Sequence, residues 1–83
     1  MQEFMRKFLQ LNGVRARVEI EHCLFDSQKF QCDELRVIDD ERVGVLIKQQ
    51  AIFMDKQNVK VAEVQGDTYI ISDGRLTITI ICK

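Results

Sequence analysis

The chain has no proline, no tryptophan, one histidine and four scattered glycines, and its three cysteines include no C-x-x-C pair. Without proline, low-complexity stretches or internal repeats nothing marks a linker, so residues 1–83 read as a single domain. A chain this short buries only about 60% of its unfolded surface, which limits it to one modest core. Four separated glycines make no phosphate-cradling loop. No nucleophile–base pair or metal-ligand set stands out, so neither catalysis nor a cofactor is expected. Cys23, Cys32 and Cys82 are odd in number and sit at apolar-phase positions, where cysteine behaves as a small hydrophobe rather than a disulfide or zinc ligand. The longest run of hydrophobic side chains, Ala51–Met54, is four residues, far short of a membrane span. Met1-Gln2-Glu3-Phe4 begins no basic-then-apolar leader, which makes the cytoplasm the default expectation. Charge of one sign is also lacking. Twelve basic and 13 acidic side chains leave a net −1, which argues against general phosphate neutralisation of duplex DNA.

What is present is mostly strand. Residues 2–11 place Phe4, Met5, Phe8, Leu9 and Leu11 on one helical stripe, and Asn12-Gly13 is suited to end a helix within 1–12. From Val14 to Glu21, Val14, Ala16, Val18 and Ile20 alternate with Arg15, Arg17, Glu19 and Glu21, which predicts a strand with one dry and one charged face. Cys23 to Phe25 starts a second element, Asp26-Ser27-Gln28-Lys29 reads as a polar turn, and Phe30, Cys32, Leu35 and Val37 resume the strand. The change of phase between Cys32 and Leu35 suggests a bulge. Asp39-Asp40-Glu41-Arg42 reads as a charged turn. Val43, Val45 and Ile47 form a strand in which Gly44 permits a close approach. Lys48-Gln49-Gln50 turns the chain into Ile52-Phe53-Met54, and Val59, Val61 and Val64 follow in strand phase. Asp73-Gly74 between Thr68–Ser72 and Leu76–Cys82 is the strongest hairpin signal. Six or seven short strands behind one helix suggest a small barrel with open edges, and open edges invite pairing with another copy. Arg15 and Arg17 are expected to pair across strands with acidic neighbours on the solvent face, His22 to end a strand, and the acidic run at 39–41 to be a solvated turn.

The helix, the Asn-Gly stop, the bent strands and the passage Asp40–Lys48 followed by Phe53–Val61 together resemble the Sm/LSm family, particularly its bacterial Hfq-like branch, over roughly residues 4–64. The resemblance implies an N-terminal helix and a small, strongly bent Sm-like (SH3-like) β-barrel over 14–64, with 68–82 as an extra C-terminal hairpin. It further implies a homo-oligomeric ring, built by pairing the fourth strand of one subunit with the fifth of the next, that binds single-stranded RNA around a pore. Carried over by position, Lys48 closes the apolar strand, Lys56 matches the pore lysine, and Gln57 stands where the branch has histidine. Asp55 replaces a tyrosine, and the base-stacking position falls on Arg42 or Val43, neither of them aromatic. The RNA-binding residues implied are Arg42, Lys48, Lys56 and Gln57. The alternative is a small β-barrel serving as a structural or protein-interaction module without nucleic acid. It is suggested by the missing aromatic stacker and the near-neutral charge.

Overall fold

Helix α1 forms where the apolar stripe predicts, over Gln2–Leu9, with Phe4, Met5 and Phe8 buried and the Phe4 and Phe8 rings stacked 5.6 Å apart. Leu9 departs from the expected stripe and is 47% exposed. The computed structural model describes residues 2–82. After Leu9 the chain tightens into i→i+3 turns, and Gly13, at φ +89°, lets it leave the helix. Gly13 N–H donates to Leu35 O and Leu35 N–H to Val14 O, which pins the helix exit against a distant, fully buried leucine.

Eight strands follow: β1 Ala16–His22, β2 Phe25–Cys32, β3 Arg36–Asp39, β4 Arg42–Ile47, β5 Gln50–Asp55, β6 Val61–Gln65, β7 Thr68–Ser72 and β8 Leu76–Cys82. Eight strands exceed the six or seven expected because the second element divides. Its first part pairs with β1 and ends at Cys32, and its second part pairs with β4. The phase change between Cys32 and Leu35 is therefore the corner at which the chain passes from one sheet to the other. The polar stretch Asp26–Lys29, expected as a turn, lies within β2. The turn falls instead at Cys23-Leu24, closed by the pair His22↔Phe25, and the register shifts between Ile20 and His22. Cys23 is exposed there, while Cys32 and Cys82 are half-buried, their thiol pKa values raised first by burial.

All pairing is antiparallel, in a five-stranded sheet ordered β2-β1-β8-β7-β6 and a three-stranded sheet ordered β3-β4-β5. The expected barrel is thus seen as two sheets sharing one core, without a ladder between β2 and β3 or between β5 and β6. A single 3-10 turn, Lys56–Asn58, carries the chain from the end of β5 across to β6, and Lys60 N–H then bonds Ser72 O in the larger sheet. Fully buried side chains come from the helix, both sheets and the β2–β3 connection: Phe8, Val18, Leu35, Val43, Val45, Ile71, Ile78 and Ile80. The C-terminal hairpin is not an appendage to this core. Strand β8 pairs with β1 along its whole length, from Ala16↔Cys82 to His22↔Leu76, and supplies the centre of the larger sheet.

Candidate functional site

The turn Asp40-Glu41 delivers the chain into β4 with Arg42 at its first position. Asp40 Oδ1 accepts Arg42 N–H at 2.7 Å, and this bond first, then the Arg42 charge, holds the Asp40 carboxyl below the usual range. Arg42 lies opposite Asp55 in the β4–β5 ladder. Its guanidinium reaches back to Asp40 at 3.7 Å and lies over the Phe53 ring, 4.7 Å from the centroid. Phe53 is outward and 39% exposed because Met54, next in β5, is the buried residue.

Lys56 opens the turn after β5. Its N–H donates to Glu41 O, tying the turn to the Asp40-Glu41 loop, and its ammonium pairs with the Asp39 carboxylate. A shallow depression of about 540 Å³ is lined by Glu41, Asp55, Lys56 and Gln57. A second, of about 560 Å³, is lined by Asp40, Glu41, Arg42 and Asp55 and so shares two of its residues. Fold geometry therefore gathers Arg42, Lys56 and Gln57 at one end of the smaller sheet. Lys48 is elsewhere. It sits beyond the far end of β4, about 20 Å along the strand, and lines a separate depression of about 460 Å³ with Phe30, Gln31, Cys32, Glu34, Leu46 and Ile47.

The electrostatics of the gathered residues are mixed. Four carboxylates (Asp39, Asp40, Glu41 and Asp55) stand around two cations, and both cations are already engaged by Asp40 and Asp39. A phosphate arriving here meets an acidic surround. The exposed Gln57 amide can hydrogen-bond a neutral partner, and the Arg42–Phe53 stack offers a flat, polarisable platform. Phe53 is the residue that positional matching misses: the resemblance implies aromatics at Arg42 or Val43 and at Asp55, and Phe53 stands two residues before Asp55 in β5. The alternation Ile52-Phe53-Met54 contains the signal that points it outward.

The remaining polar residues have local roles. Arg15 pairs with Asp33, just past the end of the neighbouring strand, whereas Arg17, expected to pair across strands, pairs with Glu19 two residues along its own strand. His22 ends β1 with its ring 5.1 Å from that of Phe25. Among the described residues no three His, Cys, Asp or Glu side chains are grouped to hold a metal ion, and no helix is long and apolar enough to cross a membrane. Comparison with protein-family models, curated proteins and solved structures gave no match.

Proposed function

We propose that this chain is a self-associating β module, assembled by adding strands across the free edges of β5 and β6, with a structural or protein-interaction role. The observation that carries the reading is the pairing pattern. β5 is hydrogen-bonded only to β4 and β6 only to β7, although the two follow one another in the chain. Each carries a large exposed hydrophobe, Phe53 at 39% and Val61 at 38%. The β3 edge is different: Asn12 Oδ1 accepts Val37 N–H and covers part of it from within the molecule. Unpaired backbone beside exposed apolar side chains favours strand addition. Pairing β5 of one copy with β6 of the next closes a ring of the kind the Sm-like resemblance implies, and completes each open barrel with a neighbour's strand.

Light scattering after size exclusion tests this. A discrete multiple of 9.7 kDa is expected, and Ala51→Lys with Val61→Lys, both at exposed edge positions, is expected to remove the strand-edge contacts and lower that multiple. A monomer at every concentration rules the reading out.

A second reading, single-stranded RNA binding by the assembly at Arg42, Lys56 and Gln57, is favoured by the Arg42–Phe53 stack. A nucleobase stacked on an aromatic or a guanidinium gains about 1–3 kcal/mol. The acidic surround opposes it. Fluorescence anisotropy with uridine-rich and adenosine-rich oligonucleotides at two salt concentrations decides between them. Co-purified RNA would dominate the absorbance of a chain with one tyrosine and no tryptophan.

A further inference from the structure

The most exposed large hydrophobes are neighbours. Leu24 at 76% and Phe25 at 72% form the tip of the β1–β2 hairpin, Leu24 in its turn and Phe25 in the closing pair with His22. The tip is held rigid rather than left to flap. Leu24 N–H donates to His22 Nδ1, the His22 ring packs against Phe25, and Cys23 N–H is bonded to Arg75 O of the adjoining turn. Nothing in the chain's own core uses these two side chains. A rigid apolar projection of this kind costs solubility unless something covers it.

A receptor for it lies on the same molecule. The outer flank of α1 leaves Leu9 47% exposed, and with Met5, Gln2, Arg6, Asp39 and Lys56 it lines a mostly apolar groove of about 460 Å³. This is the apolar flank of the helix stripe that the core does not fill. Strand β1 begins just past the helix exit and ends at the tip, about 20 Å further along the strand. With Leu24 and Phe25 both exposed, the chain's own tip is not seated in its groove. A second copy can fill that groove.

We infer that the Leu24–Phe25 tip of one copy docks in the Met5–Leu9 groove of the next, a head-to-tail contact separate from the strand edges. The charges at the two surfaces agree with it. The tip is flanked by Glu21 and Asp26, both exposed and neither in an ion pair among the described residues. The groove rim carries Arg6, whose contact with Glu3 is 3.7 Å between side chains more than 70% exposed, a solvated pair that yields readily to a new carboxylate. Lys56 at the other wall is balanced by Asp39. Because tip and groove are different surfaces, the contact is heterologous: it closes into a ring or runs on as a filament.

Complementation of two half-defective chains tests the inference. Both chains carry Ala51→Lys and Val61→Lys, so strand-edge pairing, whether or not it exists, does not contribute. One chain loses its tip through Leu24→Ser with Phe25→Ser, and the other has its groove blocked by Leu9→Glu. All the changed side chains are exposed, and circular dichroism verifies that each chain folds. Alone, each is expected to be monomeric, while the edge-blocked parent with tip and groove intact still self-associates. An equimolar mixture is expected to give a heterodimer and nothing larger, because one working tip meets one working groove. Arg6→Glu in the chain with the intact groove is expected to weaken the heterodimer about tenfold, and Asp26→Lys in the chain with the intact tip to restore it. A mixture that stays monomeric overturns the inference. So does an edge-blocked parent that is monomeric but sediments with phosphatidylcholine vesicles through Leu24 and Phe25, since the tip would then serve a bilayer rather than a second copy.

Discussion

Gly44 lies opposite Phe53 in the β4–β5 ladder, and a methyl group built on it would sit 2.0 Å from Ile52 O and 2.6 Å from Phe53 Cα. Both obstacles are backbone, which cannot swing aside as a side-chain end would. Gly44→Ala must push β5 away from β4, and Arg42 off its place over Phe53 with it. Overpacking of this kind costs about 3 kcal/mol, which urea denaturation of the variant would register. Asp73 shows the opposite economy, one carboxylate oxygen serving two donors. Its Oδ1 accepts N–H from Arg75 and Leu76, both at 2.8 Å, and the bond from Leu76 first holds its pKa below the ordinary value. Since the folded pKa is the lower one, the stabilisation is complete above the ordinary aspartate value of about 4. It drains away as pH falls through the folded value. Wild type is therefore expected to exceed Asp73→Asn in stability by a constant margin from pH 5 to 8. That margin should narrow steadily below pH 4, followed by denaturant titration at each pH. A margin indifferent to acid would mean that the turn is held by shape alone.

The β4–β5 hairpin carries its strain at the element scale. Ile47 pairs with Gln50, so Lys48 and Gln49 form a two-residue loop, and both have left-handed backbone at φ 49° and 70°. Two positive φ values are the signature of the type I′ turn that matches strand twist, a turn that ordinarily takes Asn-Gly. Lys48→Asn with Gln49→Gly should relieve the two side chains and raise stability by about 1 kcal/mol, read as a higher denaturation midpoint at unchanged slope. Legibility follows the same line. The existence of this turn could be read from Lys48-Gln49-Gln50, but its type could not, because the residues that announce it are absent. Strand β1 and the Asp73-Gly74 hairpin were legible because a buried face and a turn residue are local signals. Asp26–Lys29 was not, since β2 is an edge strand exposed along most of its length and shows no alternation. The pairing of β8 with β1 joins residues at opposite ends of the chain, and no local pattern records it. Of the candidate site, positional matching found Arg42, Lys56 and Gln57, which do converge, and also Lys48, which does not. Phe53 was hidden because the resemblance implies aromatics at Arg42 or Val43 and at Asp55, and it stands at none of these positions.

Across the whole molecule, 12 basic and 13 acidic side chains leave no field to gather polyanions, and the densest polar cluster is locally acidic around Arg42 and Lys56. The features left unsatisfied are of another kind: strand edges at β2, β5 and β6, and apolar side chains at Leu9, Leu24, Phe25, Phe53 and Val61. Backbone hydrogen bonds and apolar burial do not depend on salt as phosphate contacts do, because at 1 M the screening length shrinks to about 3 Å while hydrophobic association persists. The two functional readings therefore part in opposite directions along one axis. If copies of the chain associate through edges and apolar contacts, the sedimentation coefficient at 1 M sodium chloride should equal or exceed that at 50 mM. Any RNA carried by the protein should leave over the same range, its affinity falling as a power of salt set by the number of phosphates held. An assembly that dissolves as salt rises would instead assign its cohesion to charge pairs such as Arg6 with Asp26 of a neighbour, and would remove the backbone edges from the account.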